Sequence, residues 1–335
     1  MKILIIGGTS FIGLSLTRQL VNAGHNVTVF NRGTKEQNIP DGVKLIKGDR
    51  NELDKFKTEF EALKPDVVVD MVCIFENQAK FLVEVFKDIT NRIIMISSCD
   101  VYRAYGRLLG TEPGEPDAVP LTEESPLREK FYPYKKPEEE GRLDKYDKIL
   151  CERVLMSDKD IKWTILRLPM VYGPNDYQYR FFNYLKRMDD NRPFILIDEG
   201  TAKWKGCRGY VDNVAYAIRL AIENDNSINQ VYNVSEENTD NEYDWIKRIA
   251  KYTGWKGEII INPQNGHSEE NNSQDLDTSS EKIRKQLGYS EQIPEEEAYI
   301  NTIKWELSNP PKNIPAEQFD YSKEDKIVAE LKPAR

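Results

Sequence analysis

The sequence predicts an α/β protein built on a doubly wound parallel sheet, with helices on both faces and a smaller C-terminal lobe. Three observations predict it. Short β-rich runs alternate with helix-like stretches through the first half of the chain, a glycine-rich turn occupies the first strand-to-helix connection, and the alternation stops near residue 170.

The runs KILIIGG, HNVTVFNRG, VKLIKGD, PDVVVDMV and NRIIMISS are short and β-rich, and each is followed by a helical or loop stretch. A sixth run, KWTILRL (162–168), and a seventh, QVYNVS (230–235), come after longer insertions and extend the same sheet. After Pro169 the pattern changes. RFFNYLKRM reads as a helix, WKGCRGYVDNVAYAIRLAIEN returns to the main domain, and the last hundred or so residues are mostly polar or helical. The expected division is therefore a dinucleotide-binding domain of residues 1–170 plus 205–235, and a substrate lobe of 171–204 plus 236–335. The lobe would sit against the carboxyl ends of the strands, where ligands of such sheets bind. Residues 262–280, rich in Asn, Gln, Ser, Glu and Asp, read as an exposed loop.

Composition narrows the function. The 335 residues, 39% of them apolar, suffice for one large domain or a domain with a smaller lobe. With 47 basic against 56 acidic residues the net charge is -9, so no global field draws the chain to nucleic acid or anionic lipid. Cys73, Cys99, Cys151 and Cys207 form no CxxC pair, and His25 and His267 are the only imidazoles, which argues for reduced thiols and no metal site. The N-terminal apolar run is too short for a signal peptide, and no later run approaches ~20 apolar residues. A soluble, cytoplasmic protein is expected.

In Ile6-Gly7-Gly8-Thr9-Ser10-Phe11-Ile12-Gly13 a first strand turns into a helix expected over 12–23. Glycines there permit a tight turn and close backbone approach, and the helix N-terminal amides face a pyrophosphate. This is the dinucleotide-binding arrangement of a Rossmann sheet; the plainer alternative is a structural turn in a fold with another ligand.

Further pieces follow in order: Gly48-Asp49, Ser97-Ser98-Cys99-Asp100-Val101-Tyr102, Arg167-Leu168-Pro169-Met170-Val171-Tyr172-Gly173-Pro174, Tyr210-Val211-Asp212-Asn213-Val214-Ala215, and residues 280–289. Together they resemble the extended short-chain dehydrogenase/reductase superfamily, in its NAD-dependent epimerase/dehydratase family. The family's TGxxGxxG fingerprint appears here with Ile6 for Thr and Ser10 for the middle Gly. This GGTxFIG variant is similar to atypical members that include the chloroplast stem-loop-binding proteins of plants.

The acid that ends the second strand in NAD-binding sheets accepts hydrogen bonds from a ribose, whereas a nearby cation accommodates a 2′-phosphate. Asn31 stands there, followed by Arg32, so NADP is favoured over NAD. The residues expected against the cofactor are Gly7, Thr9, Ser10, Phe11, Ile12 and Gly13, then Asn31, Arg32, Asp49 and Arg50, and finally Lys148 and Leu168. Asp49 resembles the family's adenine-contacting aspartate.

The resemblance implies a catalytic Ser or Thr near the end of the fifth strand, a Tyr, and a Lys four residues after the Tyr. Ser98 fits the first, and Lys148-Ile149-Leu150-Cys151-Glu152 repeats the family's K-xxx-E spacing. The tyrosine position falls on Asp144. On a continuous helix at ~100° per residue, Asp144, Lys148 and Glu152 share one face, while Leu143, Tyr146, Leu150 and Val154 make an apolar stripe. Tyr146 is thereby read as a packing residue, and Asp144 as either a base or an i,i+4 partner of Lys148. Tyr132 and Lys136 have the family spacing, but Pro133 and Pro137 break a helix there, and Tyr243 with Lys247 comes too late in the chain. Tyr102, directly after the serine segment, is a further phenol candidate.

For the substrate, the resemblance implies an arginine at the position of Gly206; Arg180, Lys203, Lys205 and Arg208 are the nearby cations that could meet a diphosphate. The leading expectation is an NAD(P)-dependent oxidoreductase, epimerase or dehydratase acting on a nucleotide sugar or related polyhydroxy metabolite. The alternative is a catalytically degenerate cofactor-binding sensor or RNA-binding protein, the latter disfavoured by the acidic charge balance. A homodimer is implied by the resemblance alone.

Overall fold

Both faces of the N-terminal strands are apolar, so each face needs its own helical layer. A computed structural model, which describes residues 1–34, 39–135, 141–263 and 272–331, shows how this is met. The five early runs form β1 (Lys2–Ile6), β2 (Asn26–Asn31), β3 (Lys44–Lys47), β4 (Val67–Asp70) and β5 (Arg92–Ser98), interleaved with α1 (Phe11–Asn22), α2 (Lys57–Leu63) and α3 (Glu76–Phe86). Next come α4 (Arg103–Leu108), α5 (Lys148–Ser157), β6 (Lys162–Leu168) and β7 (Met170–Tyr172). The chain continues through α6 (Phe182–Asp189), β8 (Phe194–Asp198), α7 (Glu199–Lys203), β9 (Arg208–Tyr210), α8 (Val211–Glu223) and β10 (Gln230–Asn233). It closes with α9 (Glu242–Thr253), β11 (Glu258–Asn262), α10 (Glu281–Leu287), α11 (Glu295–Ser308) and α12 (Ser322–Leu331).

Seven strands make one parallel sheet in the order β10-β6-β5-β4-β1-β2-β3. The direction of winding reverses between β1 and β4, which opens a crevice at their carboxyl ends. Side chains divide with period two. Ile3, Ile5, Val67, Val69, Ile94 and Ile96 pack with Leu16, Leu20, Val214 and Ala217 of α1 and α8. Leu4, Ile6, Val68, Ile93 and Met95 pack with Leu82 and Phe86 of α3 and Cys151 and Leu155 of α5. Each fully buried aliphatic side chain of this kind contributes roughly 1.5–3 kcal/mol, so the two layers carry the fold. All four cysteines are buried and free.

The later chain adds two small parallel pairs, β7 with β9 and β8 with β11. Asn213, in the first turn of α8, ties down the segment before α11: its side chain accepts from the Gln292 and Ile293 amides at 2.9 and 2.8 Å and donates to the Ile293 carbonyl. The expected exposed loop needs correction. Asn262 ends β11, residues 264–271 lie outside the described residues, and 272–280 run partly extended, with Gln274, Leu276, Thr278 and Ser280 buried. Isolated bridges join Leu276 to Gly206 and Thr278 to Leu121. The polar composition misleads because these groups are satisfied inside: the Asp117 amide donates to Gln274 Oε1 at 2.6 Å. Among the described residues no helix is long and apolar enough to cross a membrane.

Candidate active site

The glycine turn closes against β4 and α1. Gly7 has φ +94°, and a Cβ there would lie 2.9 Å from Val72 Cγ1, just past β4. A Cβ on Gly13 would lie 2.3 Å from the Gly7 carbonyl oxygen, so only glycine lets α1 start this close to the turn. Thr17 fastens the arrangement from within the helix, its hydroxyl 2.8 Å from both the Gly8 and Gly13 carbonyls. Ser10 is the N-cap residue, yet its side chain makes no capping hydrogen bond. The first amides of α1 therefore lack a side-chain acceptor from their own cap, which fits an anionic group such as a pyrophosphate. Phe11 begins the helix with φ +43°, and Ile12 follows in its first turn.

Around this turn the expected cofactor residues take different places. Asn31 Nδ2 donates to Thr9 Oγ1 at 2.9 Å and its Oδ1 accepts from the Gly33 amide at 2.7 Å, so this amide shapes the loop. Arg32 beside it is exposed and has no ion pair among the described residues. Asp49 caps the short helical turn that follows β3, accepting from the Asn51 amide at 2.8 Å. Arg50, expected against the cofactor, turns inward instead. It is 8% exposed, pairs with Asp70 at 2.5 Å and donates to the Gln78 carbonyl, bracing β4 against α3. Leu168 pairs with Ser98 across β6 and β5 and is buried.

The decisive local feature is where α5 begins. Asp147 has extended backbone angles and caps the helix, accepting from the Ile149 and Leu150 amides. Such an acid stops the helix from running back toward Gly141. Asp144 accordingly lies outside α5, in a turn where its Oδ2 accepts from the Gly141 amide at 2.9 Å. The helical face expected to unite Asp144, Lys148 and Glu152 does not exist. Tyr146 instead makes an isolated bridge to Phe75 just before the extended Asp147, and its hydroxyl meets Asp100, whose charge the Lys148 ammonium also feels. Tyr146 and Lys148 thus reach the same region after all.

There, at the carboxyl ends of β4 and β5, four side chains meet. Ser98 ends β5. Lys148 is buried, and Nζ donates to the Cys73 and Ile96 carbonyls at 2.7 and 2.8 Å, which leaves one of its three hydrogens. The Tyr146 hydroxyl donates to Asp100 Oδ2 at 2.6 Å, and the Ser98 hydroxyl accepts from the amide of the same aspartate at 3.3 Å. Burial, and then the Asp100 carboxylate, push this phenol well above its ordinary pKa. Tyr134 also donates to Asp100 Oδ2, at 3.1 Å, and Tyr105 donates to Tyr134 at 3.0 Å. Burial raises the Asp100 carboxyl against the opposing pull of Tyr146, Arg128, Lys148 and Tyr134.

Two other expectations come out differently. Tyr102 is fully buried and turned to β6 and β10, donating to Asn233 at 2.6 Å and accepting from Arg167 at 3.1 Å. Glu152 belongs to the structure of the sheet: Arg167 grips both of its oxygens at 3.0 and 2.8 Å, and Ser97 donates to it at 2.6 Å.

Among the cations, Lys203 is exposed and pairs with Glu199 one helical turn away, and Lys205 is exposed. Arg208 is buried over the Trp245 ring, 4.1 Å from its centroid, and pairs with Glu242. Arg180 is half-buried and donates to the Val171 carbonyl and Gln178 at 3.0 Å each. Desolvation lowers its pKa.

A glycine turn at the switch point and a Ser, Tyr and Lys at the ends of β4 and β5 invite comparison with known proteins. The model of the NAD dependent epimerase/dehydratase family matches residues 3–235. The chain belongs to this family. Membership brings the expectation of a nicotinamide cofactor, and the uncapped start of α1 fits one. Curated relatives include the chloroplast stem-loop binding protein of 41 kDa b of Arabidopsis thaliana, 28% identical over 70% of this chain, and the 2'-dehydrokanamycin reductase of Streptomyces kanamyceticus, 25% identical over 67%. The matches span 59% of each relative's length. Among solved structures, the UDP-glucose 4-epimerase of Thermotoga maritima superposes with TM-score 0.70 at 19% identity, over 92% of this chain and 99% of that one. The Bordetella bronchiseptica enzyme WbmG, in complex with NAD, gives 0.70 at 17% identity, over 92% and 94%. These two likenesses show the epimerase/dehydratase fold.

Proposed function

We propose that this family member is an NAD(P)-dependent oxidoreductase, epimerase or dehydratase whose substrate is a nucleotide sugar or a related polyhydroxy metabolite. The observation that carries the reading is the convergence of Ser98, Tyr146 and Lys148 on one side of the β1/β4 crevice. Serine, phenol and ammonium are the groups that the family's chemistry uses, and here the phenol comes from a different register. The nicotinamide, when bound, supplies the hydride acceptor or donor. Lys148 offers its remaining hydrogen to the cofactor ribose. Ser98 holds the reacting oxygen, and Tyr146 exchanges a proton with it.

The turn residues Gly7, Thr9, Ser10, Phe11, Ile12 and Gly13 hold the pyrophosphate, with Asp49 near the adenine. Arg32, free at the surface, receives the 2′-phosphate of NADP, which favours that cofactor over NAD. Arg180 is the cation best suited to a substrate diphosphate, because it is half-buried and held in place by the Val171 carbonyl of β7. The relatives support a sugar-like substrate by their names: one is an epimerase of UDP-glucose, another a reductase of an oxidised kanamycin. Residues 171–204 and 236–335 form the substrate lobe in this reading, and a homodimer is its expected assembly.

Calorimetric titration with NAD, NADH, NADP and NADPH in turn tests the cofactor. Binding of NADPH tighter than NADH, reversed by Arg32→Ala, is the expected result. Absence of binding by all four would leave a cofactor-free relative and remove the enzymatic reading. UDP-glucose, UDP-glucuronic acid and dTDP-glucose are then screened for hydride transfer on the preferred cofactor.

A further inference from the structure

Buried carboxylates are tolerated when they are paired and fully hydrogen-bonded. Asp100 is neither. It is 4% exposed, forms no ion pair among the described residues, and its Oδ1 is buried without a hydrogen-bond partner. The nearest guanidinium, Arg128, spends Nε on the Asp100 backbone carbonyl and directs another nitrogen to Asp147. Two neutral phenols, Tyr146 and Tyr134, both donate to the other carboxyl oxygen. Asp100 is also joined to Ser98, whose hydroxyl accepts the Asp100 amide at 3.3 Å. An acid kept under-satisfied beside the reacting serine is costly unless its proton affinity is used.

The phenol supplies the use. Tyr146 already donates to Asp100, so it accepts a further proton only if its own moves on. We propose that Asp100 is the terminal proton acceptor of the site, reached from the substrate hydroxyl through Tyr146, while Tyr134, to which Tyr105 donates, steadies the same carboxyl oxygen. The inference rests on the hydride-transfer reading above. When a substrate alcohol is oxidised, a bound nicotinamide would supply the hydride acceptor, and the alcohol's O–H bond breaks. Tyr146 Oη takes that proton while its own hydrogen crosses to Asp100 Oδ2. Phenol and carboxyl both end neutral, and the substrate carbon ends as a carbonyl. Reduction runs the same transfers backwards. Tyr134 also donates to Asp100 Oδ2, at 3.1 Å, and the half-buried Tyr105 donates to Tyr134 at 3.0 Å, so both hydroxyls turn their hydrogens toward the carboxylate. The groups facing Asp100 are the hydroxyls of Tyr146, Tyr134 and Ser98, the Cys99 thiol, and the Arg128 and Lys148 cations.

Two measurements test this, and they fail separately from the hydride-transfer reading. First, the Asp100 carboxyl carbon is titrated by NMR in the full chain. It is expected to protonate above the ordinary aspartate value of ~3.9, and Tyr146→Phe and Tyr134→Phe should each move it higher by removing a donor to the carboxylate. A midpoint in the ordinary range, unmoved by either substitution, overturns the proposal whether or not any substrate is found. Second, on whichever of the three sugar nucleotides turns over, Asp100→Asn is expected to lower kcat by roughly 10²–10⁴-fold with little change in KM. Asp100→Glu should recover part of the rate, and the acid limb of the pH profile should follow the NMR midpoint. Turnover by Asp100→Asn within about threefold of the parent overturns the proposal. If none of the three sugars reacts, the hydride-transfer reading loses its support and the NMR titration decides Asp100 alone.

Discussion

Ser97 and Ser98 are neighbours on β5, yet each attends a buried acid of opposite character. Glu152, reached from Ser97, has both oxygens gripped by the Arg167 guanidinium and is a finished piece of structure. Asp100, reached from Ser98, has two phenols on one oxygen and, among the described residues, no hydrogen-bond partner on the other. The difference shows how to separate a structural carboxylate from a reactive one without reference to motifs. The structural acid is satisfied by a fixed counter-charge, and the reactive one is left with donors that can give up or receive a proton.

The largest expected effect sharpens this contrast from the structural side. Glu152→Ala strands a buried Arg167 and should cost about 3–5 kcal/mol of unfolding free energy, read by denaturant titration. A loss below about 1 kcal/mol would mean that Glu152 is no more committed than Asp100.

A second carboxyl extends the comparison into pH. Burial pushes Glu306 up to about 8; among the described residues its Oε2 lacks a partner and its Oε1 accepts from the Phe181 amide. Its folded value is raised, so the stability it contributes is present below its unfolded value and lost as pH rises through about 8. Thermal melts should show Glu306→Gln gaining roughly 1–3 kcal/mol relative to the parent at the alkaline end and less at the acid end.

Asp100→Asn, by contrast, should change stability by under about 1 kcal/mol near neutral pH, because no ion pair is broken. The raised Asp100 pKa gives it the same sign as Glu306, so its charge weighs against folding as pH rises and the Asn variant removes that slope. A loss as large as that of Glu152→Ala would place both acids in the structural class.

The smallest effects come from Asp144→Asn and Lys203→Ala, each expected within about 0.5 kcal/mol of the parent in unfolding. Asp144 serves a local turn, and Lys203 makes an exposed pair with Glu199.

Much of the sheet is legible because period-two burial and a glycine at the first turn are local signals: the seven expected strands all appear, in one parallel sheet. The site is legible in its residue types and less so in its geometry. Reading residues 143–154 as one helix places Tyr146 away from Lys148; Asp147, a good N-cap residue before an apolar run, is the signal that ends the helix at Lys148. Asp100 was visible only as part of a loose motif, because its partners Tyr134 and Tyr146 lie 34 and 46 residues away. Arg50 and Glu152 were likewise opaque, since the groups that claim them, Asp70 and Arg167, come from other strands.

The central claim is that proton exchange belongs to Tyr146 and not to Asp144, the residue that stands four before the lysine. The most direct test compares Tyr146→Phe with Asp144→Asn in single-turnover hydride transfer from the sugar nucleotide that reacts, followed by the absorbance of the reduced nicotinamide. The account predicts a fall of roughly 10²–10⁴-fold for Tyr146→Phe and a rate within about threefold of the parent for Asp144→Asn. The reverse pattern, with Asp144→Asn slow and Tyr146→Phe fully active, would contradict it.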